Sequence, residues 1–263
     1  MTKETITVAE VFGVTIQGEG PLIGRPTIFV RTGGCDFRCT WCDSMHAVDP
    51  KHRPEWEELT ARQIMVRIGD LLGVNAGAVN RDVLITLSGG NPALQPMDEL
   101  LRLGRVSGFK FAMETQGSVC REWFEHLDYL ILSPKGPSAN VPMHPLKLGN
   151  SLDDCINAVR RGDGIRRDVC FKIVIFNDAD YDFARALSRE FIYVPMYLQV
   201  GTDQLPAEGE RAWPGIISRE QALSQNILDR MRWLIGKVRD DRWFDVTVLP
   251  QLHVLLWGDQ KGV

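Results

Sequence analysis

Three cysteines fall in one short run, Cys35-Asp-Phe-Arg-Cys39-Thr-Trp-Cys42. The spacing is Cys-x3-Cys-x2-Cys, with no fourth cysteine nearby. A [4Fe–4S] cluster has four irons, each normally held by one thiolate. Three thiolates leave one iron open to a non-protein ligand, and an open iron can do chemistry as well as store an electron. Zinc is the competing reading. Structural zinc takes four ligands, often from paired Cys-x2-Cys units. Only Cys39 and Cys42 form such a pair, and His46 could complete a Cys3His set. Cys120, Cys155 and Cys170 are scattered among apolar neighbours and read as thiols that pack as small hydrophobes. Their wide spacing does not suit a second cluster, and six cysteines in 263 residues do not suggest a disulfide scaffold.

Other polar motifs recur along the chain: Gln17-Gly-Glu-Gly20, Ser88-Gly-Gly-Asn-Pro92, Glu114-Thr-Gln-Gly117, Ser133-Pro-Lys135 and Gln199-Val-Gly-Thr202. Paired glycines let a ligand approach the backbone, because glycine has no Cβ. Arg31 stands just before the cysteine run, and an arginine fork suits a carboxylate bidentately.

The elements that must position these motifs alternate between strand and helix patterns, which indicates an α/β fold. Strands are expected at Thr27–Thr32, Val83–Ser88, Phe109–Glu114, Tyr129–Ser133, Val169–Ile175 and Tyr193–Val200. Several are almost continuously apolar, as parallel strands covered on both faces should be. Helical periodicity lies near Ala61–Leu72, Met97–Arg105, Ser151–Arg161, Ala179–Ser188 and Gln221–Arg239. Asp98 and Glu99 suit a helix start, where the dipole favours acids. The motifs follow the strands, and in a parallel barrel such points share one rim, where ligands bind. Val48–Leu59 reads as a loop or cap after the cysteines, and Gly201–Pro214 reads as a loop. Neither resembles a linker, so residues 1–263 are expected to form one domain.

Composition excludes some classes. The formal net charge of −4 gives no broad reason to expect nucleic-acid binding. No apolar run is long enough to span a membrane. The N-terminus lacks the charged and apolar segments of a signal peptide, so a cytoplasmic protein is expected.

The cysteine spacing after a first strand, with Gly-Gly after the second, resembles the radical S-adenosylmethionine superfamily. That resemblance implies a partial (β/α)6 TIM-like barrel with modified helices and a C-terminal extension. It also implies that S-adenosylmethionine chelates the open iron. An electron from the cluster then cleaves a carbon–sulfur bond, and the resulting 5′-deoxyadenosyl radical removes hydrogen from the substrate. The chain therefore needs no catalytic side chain of its own. The superfamily usually carries an acid after the two glycines, and Asn91 departs from this.

Further stretches are similar to the 7-carboxy-7-deazaguanine synthases: Glu10-Val-Phe-Gly-Val-Thr-Ile-Gln-Gly-Glu-Gly20, Gly24-Arg-Pro-Thr-Ile-Phe-Val-Arg31, Cys42-Asp-Ser44, Leu249-Pro-Gln-Leu-His253 and Trp257-Gly258. This likeness implies conversion of 6-carboxy-5,6,7,8-tetrahydropterin to 7-carboxy-7-deazaguanine with loss of ammonia, on the way to queuosine and other deazapurines. It places Cys35, Cys39 and Cys42 on the cluster and Ser44 on Mg²⁺. It places Gly90, Ser133, Pro134, Lys135, Gln199, Val200, Gly201 and Thr202 on S-adenosylmethionine. Ile16, Gln17, Gly18, Glu19, Arg31, Ser88 and His253 fall to the substrate, with Glu114 offered to ribose hydroxyls. A homodimer and an electron donor such as flavodoxin are also implied. A glycyl-radical activase shares the cysteine spacing but not the Gln-Gly-Glu-Gly stretch or the C-terminal tail. A non-enzymatic zinc module would leave the rim motifs unexplained.

Overall fold

A computed structural model describes residues 4–73, 82–141, 145–160, 168–202, 219–258, 260 and 262. Among them run β1 (Ile6–Ile16), β2 (Pro26–Thr32), β3 (Glu57–Leu59), β4 (Leu84–Gly89), β5 (Lys110–Thr115), β6 (Tyr129–Leu132), β7 (Asp168–Ile175), β8 (Met196–Val200) and β9 (Val246–Leu249). The helices are α1 (Met45–Val48), α2 (Ala61–Leu71), α3 (Asp98–Val106), α4 (Pro145–Arg160), α5 (Asp178–Glu190), α6 (Arg219–Asp240) and α7 (Leu252–Trp257). One sheet carries the strands in the order β3-β1-β2-β4-β5-β6-β7-β8-β9. From β2 onward every pairing is parallel. β1 pairs antiparallel with both β2 and β3. Among the described residues β3 and β9 form the two edges, so the sheet is open, in keeping with the expected partial barrel.

The two faces of the parallel strands do different work, which follows from the period of two along a strand. On β7, Phe171, Ile173 and Ile175 pack into the main core beneath the helices. The alternate residues Cys170, Lys172 and Val174 face the other way. Cys170 joins Leu22, Leu84, Ala112 and Ile131 in a separate inner cluster, flanked by Tyr129 and Tyr197. Arg25 donates to the Tyr129 hydroxyl at 3.0 Å beside it. The inner face is thus apolar at its lower end and polar one step further along, at Ser88, Glu114 and Lys172.

Local sequence signals explain the helix starts. Thr60 caps α2 by accepting from the Gln63 N–H, and the Gln63 side chain answers to the Thr60 N–H at 2.9 Å. Asn177 caps α5 by accepting from the Asp180 N–H at 3.1 Å. Asp98 and Glu99 occupy the first turn of α3 as the sequence suggests. All six expected strands form, with ends shifted by one to three residues. Five of these strands and helices have no counterpart in the sequence pattern: β1, β3, β9, α1 and α7. Val48–Leu59 is not simply a loop. It holds a 3-10 turn at Pro50–Glu55 and then β3, whose three residues are too few to show a period. Arg161, and residues 203–214 of the expected loop, lie outside the described residues.

Candidate active site

A cavity of about 540 Å³ opens at the C-terminal ends of the parallel strands. The cysteine loop leaves β2 and forms one wall, and Cys35, Cys39 and Cys42 all line the cavity. The loop is fixed from two sides. Thr40 Oγ1 donates to the Ser138 carbonyl at 2.9 Å, and Trp41 Nε1 donates to Ser138 Oγ at 2.9 Å. On the other side the backbone of Gly90 presses against Gly34. A Cβ at Gly90 would lie 1.9 Å from the Gly34 carbonyl oxygen, so only glycine fits.

Burial pushes all three thiols up, Cys42 to about 11 with Asp43 adding to the effect. Binding iron must therefore displace their protons. Among the described residues no three His, Cys, Asp or Glu side chains converge on a single metal ion. A cluster that gives each thiolate its own iron has no such requirement. His46 is also spoken for, since its Nε2 contacts Glu10 Oε1 at 2.8 Å. The fourth ligand that a zinc site would need from this loop is thus held against Glu10.

Asn91 does not face the cavity. It is fully buried, and its Nδ2 donates to Asp36 Oδ1 at 2.9 Å and Ser118 Oγ at 3.2 Å. Its Oδ1 accepts from Thr115 Oγ1 at 2.8 Å and the Ala93 N–H at 3.2 Å. The amide oxygen offered by the sequence to a cofactor amine is already engaged. Asn91 instead ties the residue next to Cys35 to β5. Gln116 joins this network, donating from Nε2 to Asp36 Oδ1 at 2.5 Å.

Two further parts of the lining are chemically distinct. On one, Arg31 and Ser88 are register partners on β2 and β4. Arg31 NH1 pairs with Glu10 Oε1 at 2.9 Å, and its guanidinium lies 5.2 Å from the Phe12 ring centroid. Arg31 Nε and Ser88 Oγ are buried with no hydrogen-bond partner among the described residues. Buried polar groups are rarely left unpaired, so two neighbouring orphans mark a place for a ligand. Both fit an anionic group.

The other part is a buried ion triplet. Lys172 Nζ donates to Glu19 Oε2 and, at 2.8 Å, to Glu114 Oε2. Gln17 Nε2 donates to Glu114 Oε1 at 3.0 Å, and Gln251 Nε2 to Glu19 Oε1 at 2.7 Å. Burial would raise the Glu19 carboxyl, but Lys172, His253 and the hydrogen bonds bring it down to about 2. Burial would lower Lys172, but the two carboxylates raise it instead. His253 stands against Gly18, where a Cβ would come within 2.2 Å of its Nδ1.

The sequence missed Lys172. Its signal was a lone charge in a strand that otherwise reads as buried, where charge is rare unless paired. Glu114 faces Lys172 and Gln17, on the side of Glu19. Of the remaining predicted residues, Ile16, Gln17, Gly18, Ser44, Gly90, Ser133, Lys135, Gly201 and Thr202 line the cavity, and Pro134, Gln199 and Val200 do not. Gln199 is wholly buried, accepting from the Gly20 N–H and donating to the Leu249 carbonyl, each at 3.3 Å. Val200 packs in the core. Together they set the position of Gly201 and Thr202.

An open parallel sheet with a three-cysteine loop at its rim defines a radical S-adenosylmethionine enzyme, and the Radical SAM superfamily model matches residues 29–185. A 7-carboxy-7-deazaguanine synthase of Bacillus subtilis (strain 168) is 38% identical over 260 residues, 98% of each chain. Those of Bacillus cereus and Thermoplasma acidophilum are 35% and 30% identical, covering 98% and 97% of this chain and 99% of each relative. The chain belongs to the 7-carboxy-7-deazaguanine synthase family. The crystal structure of QueE from Escherichia coli shares the fold, with a TM-score of 0.62 at 19% identity over 95% of both chains.

Proposed function

We propose that this chain converts 6-carboxy-5,6,7,8-tetrahydropterin to 7-carboxy-7-deazaguanine, releasing ammonia, as a step of deazapurine biosynthesis. One observation carries the reading. The same cavity holds an unpartnered donor pair, Arg31 Nε and Ser88 Oγ, and an acceptor pair, Glu19 and Glu114. A carboxylated pterin has a carboxylate for the first and N–H donors on its aminopyrimidine ring for the second.

The cluster with S-adenosylmethionine, when bound, supplies the hydrogen-abstracting radical. The chain's own residues bind and orient. Cys35, Cys39 and Cys42 would hold the cluster. Gly90, Ser133, Lys135, Gly201 and Thr202 would hold S-adenosylmethionine against it. Arg31 and Ser88 would anchor the substrate carboxylate, leaving the ring to span toward Glu19, Glu114 and the Ile16–Gly18 backbone. His253 would cover the ring from α7. Ser44 Oγ, now donating to Asp43 Oδ1 at 2.9 Å, would turn to Mg²⁺. The enzyme is further proposed to be a cytoplasmic homodimer served by an electron donor such as flavodoxin. No helix among the described residues is long and apolar enough to cross a membrane.

The test is anaerobic turnover. Reconstituted protein is given S-adenosylmethionine, reductant, Mg²⁺ and the carboxy-tetrahydropterin. Formation of the carboxy-deazaguanine is expected, and its absence with a full cluster present would sink the reading. Cys39→Ala should abolish turnover, and survival of turnover would overturn the cluster assignment.

A further inference from the structure

The buried triplet calls for an explanation beyond binding. Lys172 is only 5% exposed, yet it carries a charge in the middle of β7. Glu19 reaches it from the segment after β1, and Glu114 from β5. His253 from α7 also acts on Glu19, while Cys170 lies one step below Lys172 on the same face of β7. Two carboxylates held on one ammonium are near enough for their like charges to repel, and without that ammonium the repulsion would favour taking up a proton. An ammonium bound to both offsets that repulsion. Each carboxylate oxygen already takes one hydrogen bond from Lys172, Gln17 or Gln251. An ionised carboxylate has about four acceptor positions and no donor, so each keeps room for a ligand.

We propose that Lys172 is the selectivity residue of this pocket: by holding Glu19 and Glu114 as a paired, acceptor-only surface, it restricts the site to rings whose edge presents N–H and NH2 donors. The proposal rests on the pterin reading. The 2-amino-4-oxo edge of a pterin supplies such donors. A 2,4-dioxo ring places a carbonyl oxygen where the amino group was, facing a carboxylate. Without Lys172 the carboxylates would favour taking up a proton, and the new O–H would donate to that carbonyl. Lys172 lines the cavity but is proposed to act through Glu19 and Glu114, so its role is that of a positioning residue.

The experiment is calorimetric titration of cluster-loaded protein, with S-adenosylmethionine and Mg²⁺ present. The probes are 6-carboxypterin and 6-carboxylumazine, its 2,4-dioxo counterpart. Wild type should favour the pterin by at least about 100-fold, with little change between pH 6 and 9. Lys172→Met should narrow the preference to less than about 10-fold, with pterin affinity falling as pH drops. Lys172→Arg should restore the preference. If Lys172→Met folds, keeps its cluster and retains full, pH-independent selectivity, the proposal is overturned. Should Lys172→Met fail to fold, Glu114→Gln keeps the Lys172–Glu19 pair and adds an amide donor. It should lose at least about 10-fold of selectivity, and unchanged selectivity overturns the proposal. Wild-type protein that binds neither probe would sink the pterin reading and this proposal together.

Discussion

Replacing Asn91 with aspartate changes one amide nitrogen to an oxygen and almost nothing in shape. That atom now donates to Asp36 Oδ1 at 2.9 Å. As a carboxylate oxygen it would instead face another carboxylate oxygen at the same distance. Asp36 is exposed, so water screens part of the repulsion. With an effective dielectric of about 40 and a separation of about 3 Å, Coulomb's law gives about 3 kcal/mol. Asn91 is wholly buried, so desolvating a charge there adds at least about 1 kcal/mol more. A loss of at least about 4 kcal/mol should lower Tm by at least about 8 °C in a chain of this size. The new carboxyl would titrate above its unfolded value of about 3.9, so the penalty exists at high pH and fades as the group protonates. Thermal melts of the metal-free protein at pH 7.5 and pH 5 measure both effects. A Tm within 2 °C of wild type at pH 7.5, or a gap that does not narrow at pH 5, would refute the reasoning. An acid after the two glycines is therefore not interchangeable with the amide in this chain.

Gly90→Ala should cost at least about 3 kcal/mol, because the added Cβ meets backbone, and reconstituted protein should hold less than half the wild-type iron and sulfide. Wild-type iron content in that variant would disprove the close-packing argument. Glu19 has a folded value of about 2, below its unfolded value. Its stabilisation is whole above about pH 4.5, is lost as pH falls toward 2, and amounts to at most about 3 kcal/mol. Acid unfolding should be less steep for Glu19→Gln across that window, and parallel curves would contradict the ion triplet. Asp180 is buried, with Oδ1 accepting from the Ser138 N–H at 2.9 Å and Oδ2 from the Phe176 N–H at 3.0 Å. Asp180→Ala should cost about 2–4 kcal/mol by orphaning two backbone donors. It should also weaken S-adenosylmethionine binding, since Ser138 anchors the loop that carries Cys39 and Cys42. Calorimetry on the loaded protein would show an unchanged affinity if that link is wrong.

The parallel strands were legible because each is a short apolar run bounded by turn residues, and the rim motifs follow directly from their ends. β1 was harder to see, since its residues Glu10–Ile16 drew attention as a ligand-binding stretch rather than as a strand. β3 and β9 owe their conformation to neighbours far away in sequence, β3 to β1 and β9 to β8. The cysteine loop and Arg31 stood out by residue type and spacing, and Ser88 through the likeness to the synthases. The roles of Asn91 and Gln199 did not, because an amide that packs inward has the same composition as one that points at a ligand. Lys172 was hidden for a related reason. Its partners, Glu19 and Glu114, lie 153 and 58 residues away along the chain.

The pocket is completed by residues that emerge in synthesis well after the strands they meet. Gln251 reaches Glu19 across 232 positions, and the Leu252 N–H donates to the Gly18 carbonyl at 2.9 Å. Chains are made from the N-terminus, and contacts between distant positions form late. The three-cysteine loop and the strands around it can therefore be in place while the ring-binding wall is still missing. A nascent chain stalled between residues 42 and 251 would carry the three-cysteine loop but not the part of the pocket wall tied down by Gln251 and Leu252. Translation past residues 251 and 252 is what joins the cysteine loop to this part of the cavity wall.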